Sequence, residues 1–206
     1  MSRYALMVRQ IRLTAAYLLM LGALSACAGA AREPVDSLSE LAGGETIVVG
    51  RIELVPPLLK GEQKMSMRDL NSSSFENKIL IITDEHYREL TKEPEVADYT
   101  GRIEAILEKN FFVRSSNKPF FVVGGVLYME LGTSRAGKIY FPGGLKVSIK
   151  PGDKAVYIGT VQYHRNEFFE VTKVSIVDDY ESANAEFKKK FGSKISLHKA
   201  LLTKAK

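Results

Sequence analysis

The stretch KIYFPGGLKVSIKPGDKAVYIGTVQY, Lys138–Tyr163, decides the fold. Three apolar runs, Lys138–Phe141, Leu145–Ile149 and Ala155–Tyr163, are separated by Pro142-Gly143-Gly144 and by Pro151-Gly152-Asp153. Proline cannot donate to a ladder and glycine adopts turn conformations closed to other residues, so each cluster reads as a turn between short strands. Alternation through Tyr157–Tyr163 gives the last run one buried and one wet face. Short strands with turn signals about 8–12 residues apart point to an all-β sandwich or barrel.

Working outward, Arg165-Asn166-Glu167 forms a further turn before a strand over Phe168–Asp178. Pro119–Glu130 reads as a long strand bulged at Gly124-Gly125. Gly101–Glu108 followed at once by Phe111–Arg114 predicts a hairpin, and Lys78–Thr83 a short buried strand. Thr46–Val55 is β-branched and alternates after Gly50, until Pro56-Pro57 stops it. Leu58–Glu76 reads as a long polar loop, and Asp84–Asp98 as an exposed loop or a short helix ended by Pro94. The fold class is therefore mainly β, an antiparallel β-sandwich over residues 46–178.

The end of the chain changes period. Tyr180, Ala183, Phe187 and Phe191 share one helical face, Asp178-Asp179 supply an N-cap, and Gly192 a C-cap. A second amphipathic piece is expected over Ile195–Leu202, so residues 179–206 form a basic C-terminal helix and tail. From Lys188 onward there are seven lysines and no acid. Each lysine held near an anionic headgroup layer is worth about 1 kcal/mol, although a solvated helix face gives the same pattern.

The beginning of the chain is of another kind. Arg3, Arg9 and Arg12 precede an apolar run, Leu13–Leu24, which is shorter than the roughly 20 residues a spanning helix requires. It ends in Leu24-Ser25-Ala26-Cys27, which resembles the lipobox of bacterial lipoproteins. The resemblance implies that residues 1–26 are a signal peptide, that Cys27 is acylated, and that a lipid anchor holds the chain on a membrane. Ala28 after the cysteine, rather than Asp, implies delivery to the outer membrane in a Gram-negative host, with the domain in the periplasm or at the cell surface. Ala28–Gly44 reads as a flexible tether with one helical turn around Val35–Leu41, so residues 27–45 are lipidated cysteine and tether.

Composition excludes several functions. Residues 1–26 hold three arginines and no acid, so the mature chain carries 26 basic and 24 acidic residues, and the net charge falls from +5 to +2. That balance gives no case for nucleic-acid binding. Cys27 is the single cysteine, and once acylated it leaves no disulfide, thiolate ligand or thiol nucleophile. His86, His164 and His198 lie far apart with no second histidine at ligand spacing, so no metal or cofactor is expected. Asp84-Glu85-His86 and His164 with Glu167 have acid–base side chains, but the chain lacks Gly-x-Ser-x-Gly, His-Glu-x-x-His and a phosphate loop. Tyr157, Tyr163, His164, Phe168 and Phe169 could line a binding surface, with half of them in the core by alternation.

The phrases Val49-Gly50-Arg51-Ile52 and Lys154-Ala155-Val156-Tyr157-Ile158-Gly159-Thr160-Val161 resemble uncharacterised envelope lipoproteins with a prealbumin-like (transthyretin-like) β-sandwich, over roughly Glu45–Asp178. The resemblance implies a domain of a usually non-catalytic kind. Together with the lipobox, the single domain and the absence of a catalytic motif, the leading expectation is a lipid-anchored, non-enzymatic binding or assembly accessory with an envelope protein as partner. A small-ligand or glycan-binding lipoprotein using Asp84–Asp98 and His164–Glu167 is the alternative; an envelope hydrolase using Asp84, His86, His164 and Glu167 comes third. Metabolic labelling with palmitate is expected to mark the wild-type chain and leave Cys27→Ala unlabelled; equal labelling of both would contradict acylation at Cys27.

Overall fold

The computed structural model describes residues 30–60, 62, 78–87, 101–131 and 135–205. The expected signal peptide (1–26), Cys27, most of the expected loop 58–76 and residues 88–98 of the expected loop 84–98 lie outside them. Two sheets pack face to face. One has the strand order β1 (Ala30–Ala31), β4 (Gly101–Ile106), β3 (Lys78–Asp84), β6 (Phe120–Leu131), β7 (Arg135–Val147), β11 (Thr203–Lys204). The other has β10 (His198–Lys199), β8 (Ala155–Arg165), β2 (Glu45–Val55), β5 (Asn110–Ser116), with β9 (Val171–Val177) also on β8. Most pairings are antiparallel, but β2 and β8 run parallel. The expected mainly-β sandwich with one helix is what the chain forms.

The main core lies between the sheets, where Val48, Ile52, Leu54, Ile79, Ile103, Leu127, Ile139 and Val161 meet. A second core lies on the outer face of the β2–β8 sheet. There α1 (Tyr180–Phe191) lays Ala183, Phe187 and Phe191 on Ile47, Val49, Ala155 and Tyr157. The helix covers only the first half of that face. This is why Ile47-Val48-Val49 are apolar without alternation, being buried on both sides, while Arg51 and Glu53 return the strand to one wet face. Asp179 caps α1 with no side-chain bond; Asp178 Oδ1 instead accepts the Tyr180 N–H at 3.2 Å.

Gly159 changes the parity of β8. Val49 pairs with Tyr157 but Arg51 with Thr160, so Ile158 and Gly159 together oppose Gly50 in a bulge. Gly159 has φ 101°, and a Cβ there would lie 2.8 Å from Ile176. Pro142-Gly143-Gly144 is a bulge as well, not the expected turn. β7 runs unbroken through it, and Val122 pairs with Leu145 while Gly124 pairs with Pro142. A Cβ on Gly143 would lie 2.1 Å from the Val123 carbonyl carbon, so the strand passes there only because the residue has none.

Five further expectations are corrected. The strands of the Gly101–Arg114 hairpin exist, but β4 lies in one sheet and β5 in the other. A hairpin would set them side by side, whereas Ile103 and Phe111 both enter the main core from opposite sheets. The corner is made at Glu108, φ 63°, whose N–H donates to Ile52 O at 2.8 Å. No helix forms over Ile195–Leu202; β10 pairs parallel with β8, and β11 pairs with β7. The tether is docked from Ala30 onward. β1 pairs with β4, the Arg32 N–H donates to Arg102 O at 2.7 Å, Pro34 bridges Val113, and Val35 is 1% exposed. Its expected helical turn is a short 3-10 helix at Leu38–Glu40. Asp84, expected in an exposed loop, ends β3 fully buried, and Phe168–Glu170 belong to a turn before β9.

Two glycines with positive φ separate backbone strain from packing. Gly159→Ala adds a side-chain collision to the φ penalty and is expected to cost about 2–4 kcal/mol. Gly152, at φ 92° with nothing within 4 Å of a new Cβ, should cost about 1 kcal/mol on the same change. Urea unfolding measures both, and equal losses would contradict the bulge packing.

Candidate functional site

Register sets the positions of the candidate residues. β2 and β8 are parallel, so both start at one pole of the sandwich and end at the other. Arg32 joins the sheets at the first pole: its Nε donates to Thr83 Oγ1 at 3.3 Å, its Nη1 to Ser115 Oγ, and it stacks 4.0 Å from the Phe120 ring. Burial lowers the Arg32 pKa to about 10, against the opposing pull of Glu85. This first pole carries Asp84–Tyr87, the turn at 117–119, and the loop at 148–154. The opposite pole carries residues 56–60 and 62, the Glu108 corner and the turn Asn166–Glu170.

The acid–base candidates are thereby split. Asp84 pairs with Phe121 at the first pole, and His164 with Val55 at the opposite one. The eleven residues of β2 span about 35 Å. Asp84 and His86 therefore do not meet His164 and Glu167, and the loops of the glycan-binding reading begin at opposite poles.

The histidines have separate partners. His164 Nε2 lies 2.8 Å from Ser175 Oγ, flanked in register by Val55 and Lys173, and no carboxylate among the described residues hydrogen-bonds its ring. Both residues sit in paired strands, where backbone N–H groups serve the ladder rather than an oxyanion. His198 Nδ1 donates to Asp153 Oδ1 at 2.7 Å. Burial pushes the Asp153 carboxyl up, but His198 and the Lys150 N–H together hold it below the ordinary range. This pair fastens β10 to the 148–154 loop. No three metal-ligating side chains converge among the described residues.

The aromatic set also divides. Tyr157 and Tyr163 are fully buried, and Tyr163 packs edge-on to Phe141 at 4.5 Å, its phenol pKa raised by burial. Phe168 is the reverse, 72% exposed at the tip of its turn. Asn166 Oδ1 fixes that turn by accepting from the N–H groups of Phe168 and Glu170, each at 2.9 Å. In the basic tail, Lys190 pairs with Asp36 and Lys199 with Asp178, while Lys188, Lys189 and Lys194 are exposed.

Arg165 is the organising residue that sequence reasoning missed. Its side chain is 4% exposed. Nε donates to Pro56 O at 3.1 Å, Nη2 to Pro57 O at 2.9 Å, and the fork grips Glu62 at 2.8 and 3.2 Å. The guanidinium also lies 5.4 Å from the Phe169 ring. Glu62 in turn accepts the Leu59 N–H at 2.7 Å, which holds Leu59 outward and 66% exposed. The ion pair thus fixes the segment that presents Leu59 and borders, through Phe169, the turn that Asn166 fixes and that presents Phe168. The sequence signal was an arginine at an inward position of a strand, beyond Val161 and Tyr163.

No protein-family model, curated protein or solved structure matches this chain. No helix among the described residues is long and apolar enough to cross a membrane.

The Arg165–Glu62 pair gives a pH signature. Burial opposes ionisation of Glu62, but the Arg165 and Leu59 hydrogen bonds and the Arg165 charge hold its pKa below 4.5. A depressed carboxylate contributes stability above its unfolded pKa and loses it as pH falls through the folded value. The melting-temperature gap between wild type and Glu62→Gln should therefore be full at pH 7 and shrink as pH falls below 4.5. A gap that widens in acid would contradict the pairing.

Proposed function

We propose that this chain is a lipid-anchored envelope protein that binds a protein partner at the pole carrying Leu59 and Phe168, without chemistry of its own. The observation that carries the reading is the exposure of those two side chains on backbone that Arg165 and Asn166 have already fixed. Large apolar side chains held in one conformation lose little entropy on binding, which is what makes an anchor residue effective. The separation of the acid–base residues between two poles removes the arrangement the hydrolase reading required.

The lipobox at Cys27 supplies the location. Acyl chains are worth about 0.8 kcal/mol per buried methylene, and two or more hold the domain in a thin layer, raising its effective concentration for a partner there. In a Gram-negative host that layer is the periplasmic side or the surface of the outer membrane. The resemblance to prealbumin-like lipoproteins points the same way.

A photo-crosslinking residue placed at Glu167, beside Phe168, tests the reading in cells. One saturable adduct is expected, near stoichiometric and lost when Leu59→Asp and Phe168→Asp are combined, with the melting temperature unchanged. An adduct that survives the double substitution would refute this pole as the interface.

A further inference from the structure

We infer that the pole at which the N-terminal chain leaves the sandwich lies against the phospholipid headgroup layer, so that the Leu59–Phe168 pole points away from the membrane. The inference rests on the anchoring reading and adds an orientation to it. Its basis is the length of chain available. Ala30 is already in the ladder, opposite Gly101, so only Ala28 and Gly29 separate it from Cys27. Three Cα–Cα steps reach no more than about 11 Å. The headgroup region is itself about 5–8 Å thick on each side of a bilayer. A lipid attached at Cys27 therefore brings the first ladder pair to the headgroups.

The tether cannot easily lengthen by peeling. Releasing residues 30–35 would withdraw Arg32 from Thr83, Ser115 and Phe120, and would expose Val35. It would also leave the edges of β4 and β5 unpaired. The fold thus fixes the distance that a free tether would leave open.

The same pole has side chains suited to a headgroup layer. Tyr87 is partly exposed, with its ring 5.7 Å from that of Phe121. Lys118, Lys150 and Lys154 are exposed on two turns that meet at Asn117, whose amide, in the orientation that satisfies both groups, donates to Lys150 O at 3.0 Å and accepts from Gly152 N–H at 3.1 Å. Glu85 is exposed nearby. These exposed charges are few, and the orientation is set by tether length, so it should persist at high salt.

The single cysteine makes the test direct, because acylation of Cys27 leaves an introduced cysteine as the only thiol. The mature lipoprotein, reconstituted in phosphatidylethanolamine–phosphatidylglycerol vesicles, is labelled with a fluorophore at Lys118→Cys or Lys150→Cys, and separately at Lys60→Cys or Glu167→Cys. A contact quencher is carried on the lipid headgroups. Given the roughly 35 Å between poles, quenching at 118 and 150 should exceed that at 60 and 167 by about threefold or more, at low and high salt alike. Inserting about 20 Gly/Ser residues after Ala28, with a mean reach near 25 Å, should erase the difference. Equal quenching at both poles of the lipidated protein would overturn the orientation alone. Absence of a lipid on Cys27 by intact-mass measurement would overturn the anchor, and the orientation with it.

Discussion

A two-sheet sandwich leaves unpaired N–H and C=O groups along its outermost strands, and pairing them is the constraint on which the rest of this structure depends. The two chain ends do much of that work. The N-terminal segment pairs with β4 in one sheet, then crosses to β5 in the other through Pro34 and Val35. The C-terminal segment fills the part of the β8 edge that β9 leaves, then pairs with β7. Arg32 locks the first crossing between the sheets, and His198 with Asp153 locks the second. Both segments are short, and backbone pairing is joined by a few buried apolar side chains, Val35 in the first and Leu197 and Leu202 in the second.

That arrangement gives the domain a direction. With the anchor proposed at Cys27, only two residues would separate it from the sandwich, so the domain would not tumble on a long leash. A parallel β2–β8 pair carries the opposite pole a full strand length away. At that pole Arg165 spends a buried charge on three backbone or carboxylate partners. A buried ion pair is a poor source of net stability but a good source of fixed geometry. Fixed geometry is what two exposed apolar side chains require if they are to meet a partner without reordering.

Much of the sandwich was legible because its strands are long and apolar. β2, β3, β6 and β8 were marked by β-branched runs, and α1 by Tyr180, Ala183, Phe187 and Phe191 at helical spacing. The misreadings have physical causes. Pro142-Gly143-Gly144 has the same chemistry in a bulge as in a turn, and only the partner strand distinguishes them. Two-residue strands such as Ala30–Ala31 or His198–Lys199 have no period to detect and exist because an edge was waiting for them. The β4–β5 corner could not be told from a hairpin locally, since both place apolar residues at alternate positions. At the candidate site, Phe168 was visible as an aromatic near a turn, whereas its exposure depended on the Asn166 side chain closing that turn, and that of Leu59 on Arg165 pointing inward.

Native-state amide hydrogen exchange at Arg32, Val35, Ala200 and Leu202 tests the closure of the edges most directly. Each of these N–H groups donates to a strand carbonyl, at 2.7, 2.9, 2.8 and 2.9 Å respectively. If the chain ends are integral to the sheets, these amides exchange as slowly as those of β2 and β8, through global unfolding alone. Exchange at Arg32 and Val35 at the rate of an unstructured peptide would show a free N-terminal tether and contradict both the edge closure and the orientation built on it.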